Sequence, residues 1–234
     1  MLKLYDLAGD NLKLRFSPFC WRTKMALLHK RLAFDTVPWR FTEKDVISRT
    51  GQGRVPVLVD SDEWIHDSWQ IAIHLDRRYP DRPPLMATEA ERAAAFFMNS
   101  WCDLTLHPAL RPLVFLDVFN AAAEKDRAYF RSSREKGVGR SLENFCADRR
   151  SAQTAFVQAL APIELTLQNY AYLGGATANY SDYALLGSLQ WARCVSGTAF
   201  LPSDSATDRW FERMLDLHDA YARKAPTIRD LAAA

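Results

Sequence analysis

The order of apolar and polar positions divides the chain into two halves with different periods. Leu2–Leu7 (LKLYDL) reads as a strand. After Pro18, residues Trp21, Met25, Leu28 and Leu32 recur at helical spacing, which predicts a helix with one buried stripe. Phe34–Trp39 is a second strand, and the almost wholly apolar run Val55–Val59 (VPVLV) has the composition of a central strand. Asp60-Ser61-Asp62 is turn chemistry. A short strand follows at Glu63–Ile65, then a helix from Ser68 to the neighbourhood of Tyr79. The order strand-helix-strand-short helix-strand-strand-helix points to a small α/β domain over residues 1–80.

Tyr79-Pro80-Asp81-Arg82-Pro83-Pro84 stops the last of these helices, and residues 81–87 read as a linker. Beyond it the period is helical throughout. Phe97, Trp101 and Leu104 form one apolar stripe; Phe156, Leu160, Ile163, Leu167 and Tyr170 form a longer one; Trp210, Met214, Leu217 and Tyr221 form a third. No strand-like alternation competes with them. The expected fold class is α+β, a βαβαββα domain followed by an all-helical domain over residues 88–234.

Composition adds exclusions. The chain has 234 residues, enough for two modest cores, with 48% apolar and 25% charged residues and no excess of Gly or Pro, so no long disordered segment is expected. A formal net charge of +2 leaves no electrostatic footprint for nucleic acid or anionic lipid. No segment reaches the roughly 18 consecutive apolar residues of a membrane span. MLKLYDLAGD meets an acid after only a few apolar residues, unlike a secretory leader. Cys20, Cys102, Cys146 and Cys194 are far apart and form no CxxC pair, so neither a disulfide framework nor a zinc site is expected, and a reducing cytoplasm fits. The formal glycosylation sequon Asn179-Tyr180-Ser181 is set aside for want of a secretion signal.

Three short segments have chemical possibilities. In Ser17-Pro18-Phe19-Cys20, Pro18 suits the first helical turn, which makes Ser17 the N-cap. An anion there gains roughly 0.3–1 kcal/mol from the helix dipole, and a hydroxyl can donate a charge-assisted hydrogen bond to it. The plainer reading is that serine is simply a good cap. In Gly53-Arg54-Val55-Pro56-Val57, a proline inside an apolar run is either an edge-strand residue or a cis peptide that turns the Val55 backbone outward. In Asp67-Ser68 either residue caps the third helix; alternatively the helix N-terminus takes a carboxylate while Asp67 takes an ammonium. In this order the segments would converge on one short, charged, extended peptide with a thiol.

At these residues the chain resembles the glutathione transferase superfamily. The resemblance implies a thioredoxin-like, glutaredoxin-like N-terminal domain, in which Ser17 stands where glutaredoxins have the first cysteine of Cys-Pro-Tyr-Cys. It further implies a cis Val55-Pro56 bond, an Asp67-Ser68 pair for the γ-glutamyl end of glutathione, and Arg54 for its glycine carboxylate. Phe19 is grouped with these glutathione-binding positions. Asn179-Tyr180-Ser181-Asp182 is similar to the family's helix-capping box. Ser17 with Trp21-Arg22 is similar to the serine-using zeta type. Leu4-Tyr5-Asp6-Leu7, Trp21-Arg22-Thr23-Lys24, Val55-Pro56-Val57, Asp67-Ser68-Trp69 and Tyr129-Phe130-Arg131-Ser132-Ser133-Arg134-Glu135 are most similar to bacterial β-etherases and fungal etherase-like relatives.

The implied activity is glutathione transfer. Ser17 holds the glutathione thiolate, which attacks a hydrophobic, aromatic or α,β-unsaturated electrophile, with aryl-ether cleavage as the etherase-like form. Glutathione is the co-substrate, no metal is implied, and a homodimer is expected. Phe16, Phe19, Trp39, Trp101 and His107 are candidates for the substrate pocket, with His107 able to act as an acid on a leaving group. Cys20 reads first as a buried structural cysteine; were it reactive, a thiol transferase or reductase would be the alternative. A glutathione-dependent carrier of aromatic compounds is another, and an interaction protein without glutathione affinity a third.

Overall fold

Four strands pair in the order β2-β1-β3-β4. They are β1 (Leu2–Leu7), β2 (Phe34–Trp39), β3 (Val57–Asp60) and β4 (Glu63–His66). The structure, a computed structural model, describes residues 1–233. β2 runs parallel to β1, with Leu4 opposite Thr36, while β3 is antiparallel to β1, with Leu4 opposite Leu58. Helices α1 (Pro18–His29) and α2 (Ser68–Arg78) cover the sheet, and a 3-10 helix, Lys44–Thr50, leads from β2 toward β3. The element order is the expected one. β3 begins at Val57 and not at Val55, because the Val55–Pro56 peptide is cis and Pro56 has no N–H to give to the ladder.

Helices make up the rest: α3 (Glu89–Trp101), α4 (His107–Ala121), α5 (Glu124–Val138), α6 (Leu142–Phe145), α7 (Arg149–Ala159), α8 (Ala161–Asn169), α9 (Tyr180–Val195), α10 (Ala206–Ala220) and α11 (Ile228–Ala232). One π-helical turn, Cys102–Leu106, joins α3 to α4. Phe156, Leu160, Ile163 and Leu167 are buried, as are Trp210 and Met214. Tyr170 lies outside its stripe, 59% exposed. The stripe Phe97–Trp101–Leu104 is a correction: Phe97 and Leu104 are 66% and 78% exposed. α3 packs against α9 and buries Ala95 and Asn99 on its inner side, which leaves the Phe97 row facing out.

α9 is the centre of the helical half, buried along nearly its whole length. Its N-terminus is the expected capping box. Asn179 Oδ1 accepts the Ser181 N–H at 2.8 Å, and Asp182 takes the Asn179 N–H at 3.0 Å. The Asp182 carboxylate, fully buried, also accepts from Leu173 N–H (2.8 Å), Gly174 N–H (2.9 Å) and Trp210 Nε1–H (2.8 Å). The two halves meet where α1 lies along α9. Arg22 fastens them, donating to Asn99 Oδ1 at 2.9 Å and Asp103 Oδ1 at 2.7 Å.

Candidate active site

The chain leaves β1 through a loop that folds back at an Ala8–Arg15 bridge. This returns Phe16 and Ser17 to the carboxyl end of β1, where α1 begins. Ser17 is the N-cap: its Oγ accepts the Cys20 N–H at 3.3 Å, and Pro18 fills the first helical position. Accepting that bond leaves the hydroxyl proton free to be donated. The side chain is buried, so whatever meets it does so in poorly solvated space at the positive end of α1.

Strand register brings the other two segments to the same edge. Tyr5 pairs with Val57 across β1–β3, and Val57 with His66 across β3–β4. Two residues further along these ladders, Val55 falls between Leu7 and Ser68. Neither the N–H nor the C=O of Val55 takes a partner among the described residues, so both are available to an extended peptide. Arg54 is exposed beside it and forms no ion pair among the described residues. Asp67 caps α2, its Oδ1 accepting from Trp69 N–H (3.0 Å) and Gln70 N–H (3.1 Å). Its φ of 70° is a conformation that costs a non-glycine residue about 1–3 kcal/mol. Ser68 is buried, and the Trp69 ring next to it meets Phe96 at 5.0 Å and Tyr180 at 5.5 Å.

The suggested pocket residues divide. Phe19 is half-buried, with its ring edge-on to His107 at 5.5 Å and the Arg22 guanidinium 4.9 Å from its centroid, so it faces the helical half. Trp101 is half-buried at the end of α3. Phe16 and Trp39 are corrections, since both belong to the core. Phe16 packs on Phe41, and Trp39 Nε1–H is committed to the Glu43 carbonyl at 2.6 Å. His107 is corrected as an acid. It is buried, its Nε2 is 2.9 Å from Ser188 Oγ, and burial, with Arg22 and Arg111 nearby, holds it well below the ordinary histidine value. Burial that disfavours the imidazolium makes His107 a poor general acid near neutral pH.

Cys20 is fully buried, with Sγ 3.9 Å from the Tyr5 carbonyl. Burial, reinforced by Asp6, pushes its thiol far above the ordinary range despite the opposing Ser17 hydroxyl. It is therefore an inert packing residue, and the thiol-transferase alternative loses its nucleophile. All four cysteines are free and buried. Among the described residues no group of three or more His, Cys, Asp or Glu side chains is arranged to hold a metal, and no helix is long and apolar enough to cross a membrane. A cavity of about 310 Å³ lies elsewhere, between α9, α10 and Thr227–Arg229, and touches none of Ser17, Val55 or Asp67.

Comparison with known proteins agrees with this architecture. The glutathione S-transferase N-terminal domain family matches residues 16–78, and the glutathione S-transferase C-terminal domain family matches residues 93–219. The chain belongs to the glutathione S-transferase family. It is 25% identical to glutathione S-transferase U13 of Arabidopsis thaliana over 236 aligned residues, covering 93% of this chain and 90% of that one. A zeta-class glutathione S-transferase of Euphorbia esula is 29% identical over 110 residues, 45% of this chain and 47% of that one. Among solved structures, the glutathione S-transferase CsGST63524 of Ceriporiopsis subvermispora, in complex with glutathione, superposes with a TM-score of 0.79 at 22% identity, covering 94% of this chain and 97% of that one. The glutathione transferase GSTFuA2 of Phanerochaete chrysosporium does so with a TM-score of 0.76 at 23% identity, covering 99% and 96%.

Proposed function

We propose that this protein is a glutathione transferase in which the Ser17 hydroxyl holds the glutathione thiolate for attack on an aromatic or activated-alkene carbon, with an aryl ether as the etherase-like substrate. The observation that carries this is Ser17 itself: a buried N-cap hydroxyl that accepts the Cys20 N–H, at the positive end of a helix. Arg54 meets the glycine carboxylate, the Val55 main chain pairs with the cysteinyl residue, and Asp67 with Ser68 takes the γ-glutamyl end. Glutathione in complex with a structural relative supports the choice of peptide. Ser17 donates to sulfur and is not itself modified. At an aromatic or ether carbon the sulfur lone pair forms the new S–C bond and the leaving group departs with the electrons of the bond it breaks; at an activated alkene the C=C π pair moves onto the activating group and is protonated from water. A homodimer belongs to this reading, and the exposed Phe97–Leu104 row offers apolar surface for it.

Titration of bound glutathione in wild type and Ser17→Ala, following thiolate absorbance against pH, tests the reading. Wild type should show the thiolate about one to two pH units below its solution value, the combined effect of a charge-assisted hydrogen bond and the dipole. Ser17→Ala should lose that shift. Tight binding with no shift in either protein would make the molecule a glutathione-dependent carrier, and no binding would remove the glutathione reading.

A further inference from the structure

Two arginines on the helical side of the site form no ion pair among the described residues, and Asp103 acts on Arg111 only through its field. α4 and α5 form a hairpin through Ala122–Ala123, and across it Phe115 meets Phe130 with centroids 5.9 Å apart. Arg111 precedes Phe115 by about one helical turn and Arg134 follows Phe130 by about one turn, so both stand one turn further from the hairpin bend than that ring contact, near enough for the Arg111 charge to act on Arg134. Both are half-buried. The Arg111 side chain makes no hydrogen bond or ion pair among the described residues. Arg134 donates only to Ser133 Oγ, at 3.1 Å, and stacks over Phe130 at 4.8 Å.

The nearby carboxylates are already occupied. Asp103 is bound to Arg22 at 2.7 Å, and Glu135 to Arg131 at 2.9 Å. Burial holds both guanidinium groups below the ordinary arginine value, and at Arg134 the positive charges of Arg111 and Arg54 add to it. Two like charges withdrawn from water without a counter-ion are unfavourable unless an anion joins them.

Their position ties them to Ser17. Arg111 stands one turn beyond His107, whose ring meets Phe19, and Arg134 lies 5.8 Å from the Phe41 ring, which meets Phe16. Along the chain Phe16 directly precedes Ser17 and Phe19 follows it by two residues. We infer that Arg111 and Arg134 form an anion subsite that selects electrophiles bearing a carboxylate, holding that group while the reacting carbon faces the sulfur at Ser17. The reaction part of this inference rests on the serine-transferase reading; the anion subsite does not. Arginine is suited to it, because a guanidinium fork meets a carboxylate with two parallel hydrogen bonds.

A matched pair of probes tests it: 4-chloro-3-nitrobenzoate and its neutral amide, 4-chloro-3-nitrobenzamide. In both, the thiolate attacks the carbon bearing chlorine, the S–C bond forms and chloride leaves with the bonding pair. Each kcat/KM is divided by the uncatalysed rate with glutathione, which removes the difference in ring activation. Equilibrium binding of each probe is measured in parallel by calorimetry, and thermal melts check that each variant is folded. Wild type should favour the carboxylate, and Arg111→Gln and Arg134→Gln should each cut that preference by about tenfold or more, the effect of losing a hydrogen bond between charged groups. Arg111→Lys should recover part of it. Carboxylate binding that depends on Arg111, with no turnover of either probe, would sustain the subsite and defeat the transferase reading. Turnover of both probes with no carboxylate preference, or a preference the variants leave intact, would overturn the inference while the transferase reading stood. A loss of glutathione affinity in the variants with the probe preference unchanged would assign the arginines to glutathione and overturn it as well.

Discussion

Gly187, midway along α9, lies against the main-chain carbonyl of Pro18 at the first turn of α1, so closely that a Cβ at position 187 would collide with it and press on the Arg22 side chain. The helical half thus touches the helix start that carries Ser17. Gly187→Ala should force the two helices apart and destabilise the protein by about 1–3 kcal/mol, the usual cost of overpacking. Because the strain falls one residue from Ser17, glutathione affinity should fall with it. A thermal melt and a glutathione titration on the same sample check both effects. A variant as stable as wild type would show that α1 and α9 slide past each other freely.

How much of this was legible in the sequence depends on whether a feature is local. β1 and β2 have the bounds their apolar runs predict, and the capping box at Asn179–Asp182 was readable because it is spelled within one helical turn. The start of β3 was misplaced because hydropathy sees Val55 and Pro56 as strand while the ladder needs N–H groups. The Phe97–Leu104 row illustrates the limit of periodicity. Spacing shows that residues share a face, not that anything covers it. His107 looked like a site residue because a histidine can act as an acid on a leaving group; its burial under Phe19 and Trp191 is a tertiary fact. Arg111 stood in none of the motifs, and Arg134 only within the Tyr129–Glu135 segment. They meet only through the α4–α5 hairpin, and the one clue was their equal distance from the Ala122–Ala123 bend.

The Asp182 carboxylate gathers four donors from α9's own start, the Leu173–Gly174 loop and Trp210 on α10. It joins three segments far apart in sequence, in a place water does not reach. Asp182→Ala leaves all four donors without an acceptor, and at about 1–3 kcal/mol for each group left unsatisfied the loss should reach about 4 kcal/mol or more. Asp182→Asn, which keeps one oxygen, should fall between that variant and wild type. Urea unfolding measures both, and a loss below about 1 kcal/mol in Asp182→Ala would show that water or neighbouring groups replace the carboxylate.

Acid should weaken the fold through its histidines before the carboxylates titrate. His107 is held well below the ordinary histidine value, so the unfolded chain binds a proton that the folded one refuses. Stability from this group is therefore full above about pH 6.5 and declines as pH falls below it, by at most about 1.4 kcal/mol per pH unit. His29 and His218 are displaced downward too, by burial first, and act with the same sign. His107→Gln keeps a polar group facing Ser188 without the titrating nitrogen. Unfolding free energies from pH 7 to pH 5 should fall less steeply in the variant, by up to one proton's slope, and parallel curves would mean that His107 titrates normally.

Asp67 separates stability from function most sharply. Its backbone, at φ 70°, is one that glycine adopts without penalty. Its side chain caps α2, but glycine is only a few tenths of a kcal/mol worse than aspartate as a cap. Asp67→Gly should therefore stabilise the ligand-free protein, by about 0.5–2 kcal/mol, because the relieved strain exceeds the lost cap. The same change removes the carboxylate proposed to meet the glutathione ammonium and should weaken glutathione binding about tenfold or more. Asp67→Asn should keep the cap and much of the strain while losing the charge, so it should lose affinity without gaining stability. The melts must be run without glutathione, since a bound ligand raises apparent stability by itself. If Asp67→Gly is more stable and binds glutathione as well as wild type, the strained aspartate serves neither the fold nor the ammonium. If it is more stable and binds poorly, the strain is maintained for the sake of the charge it positions.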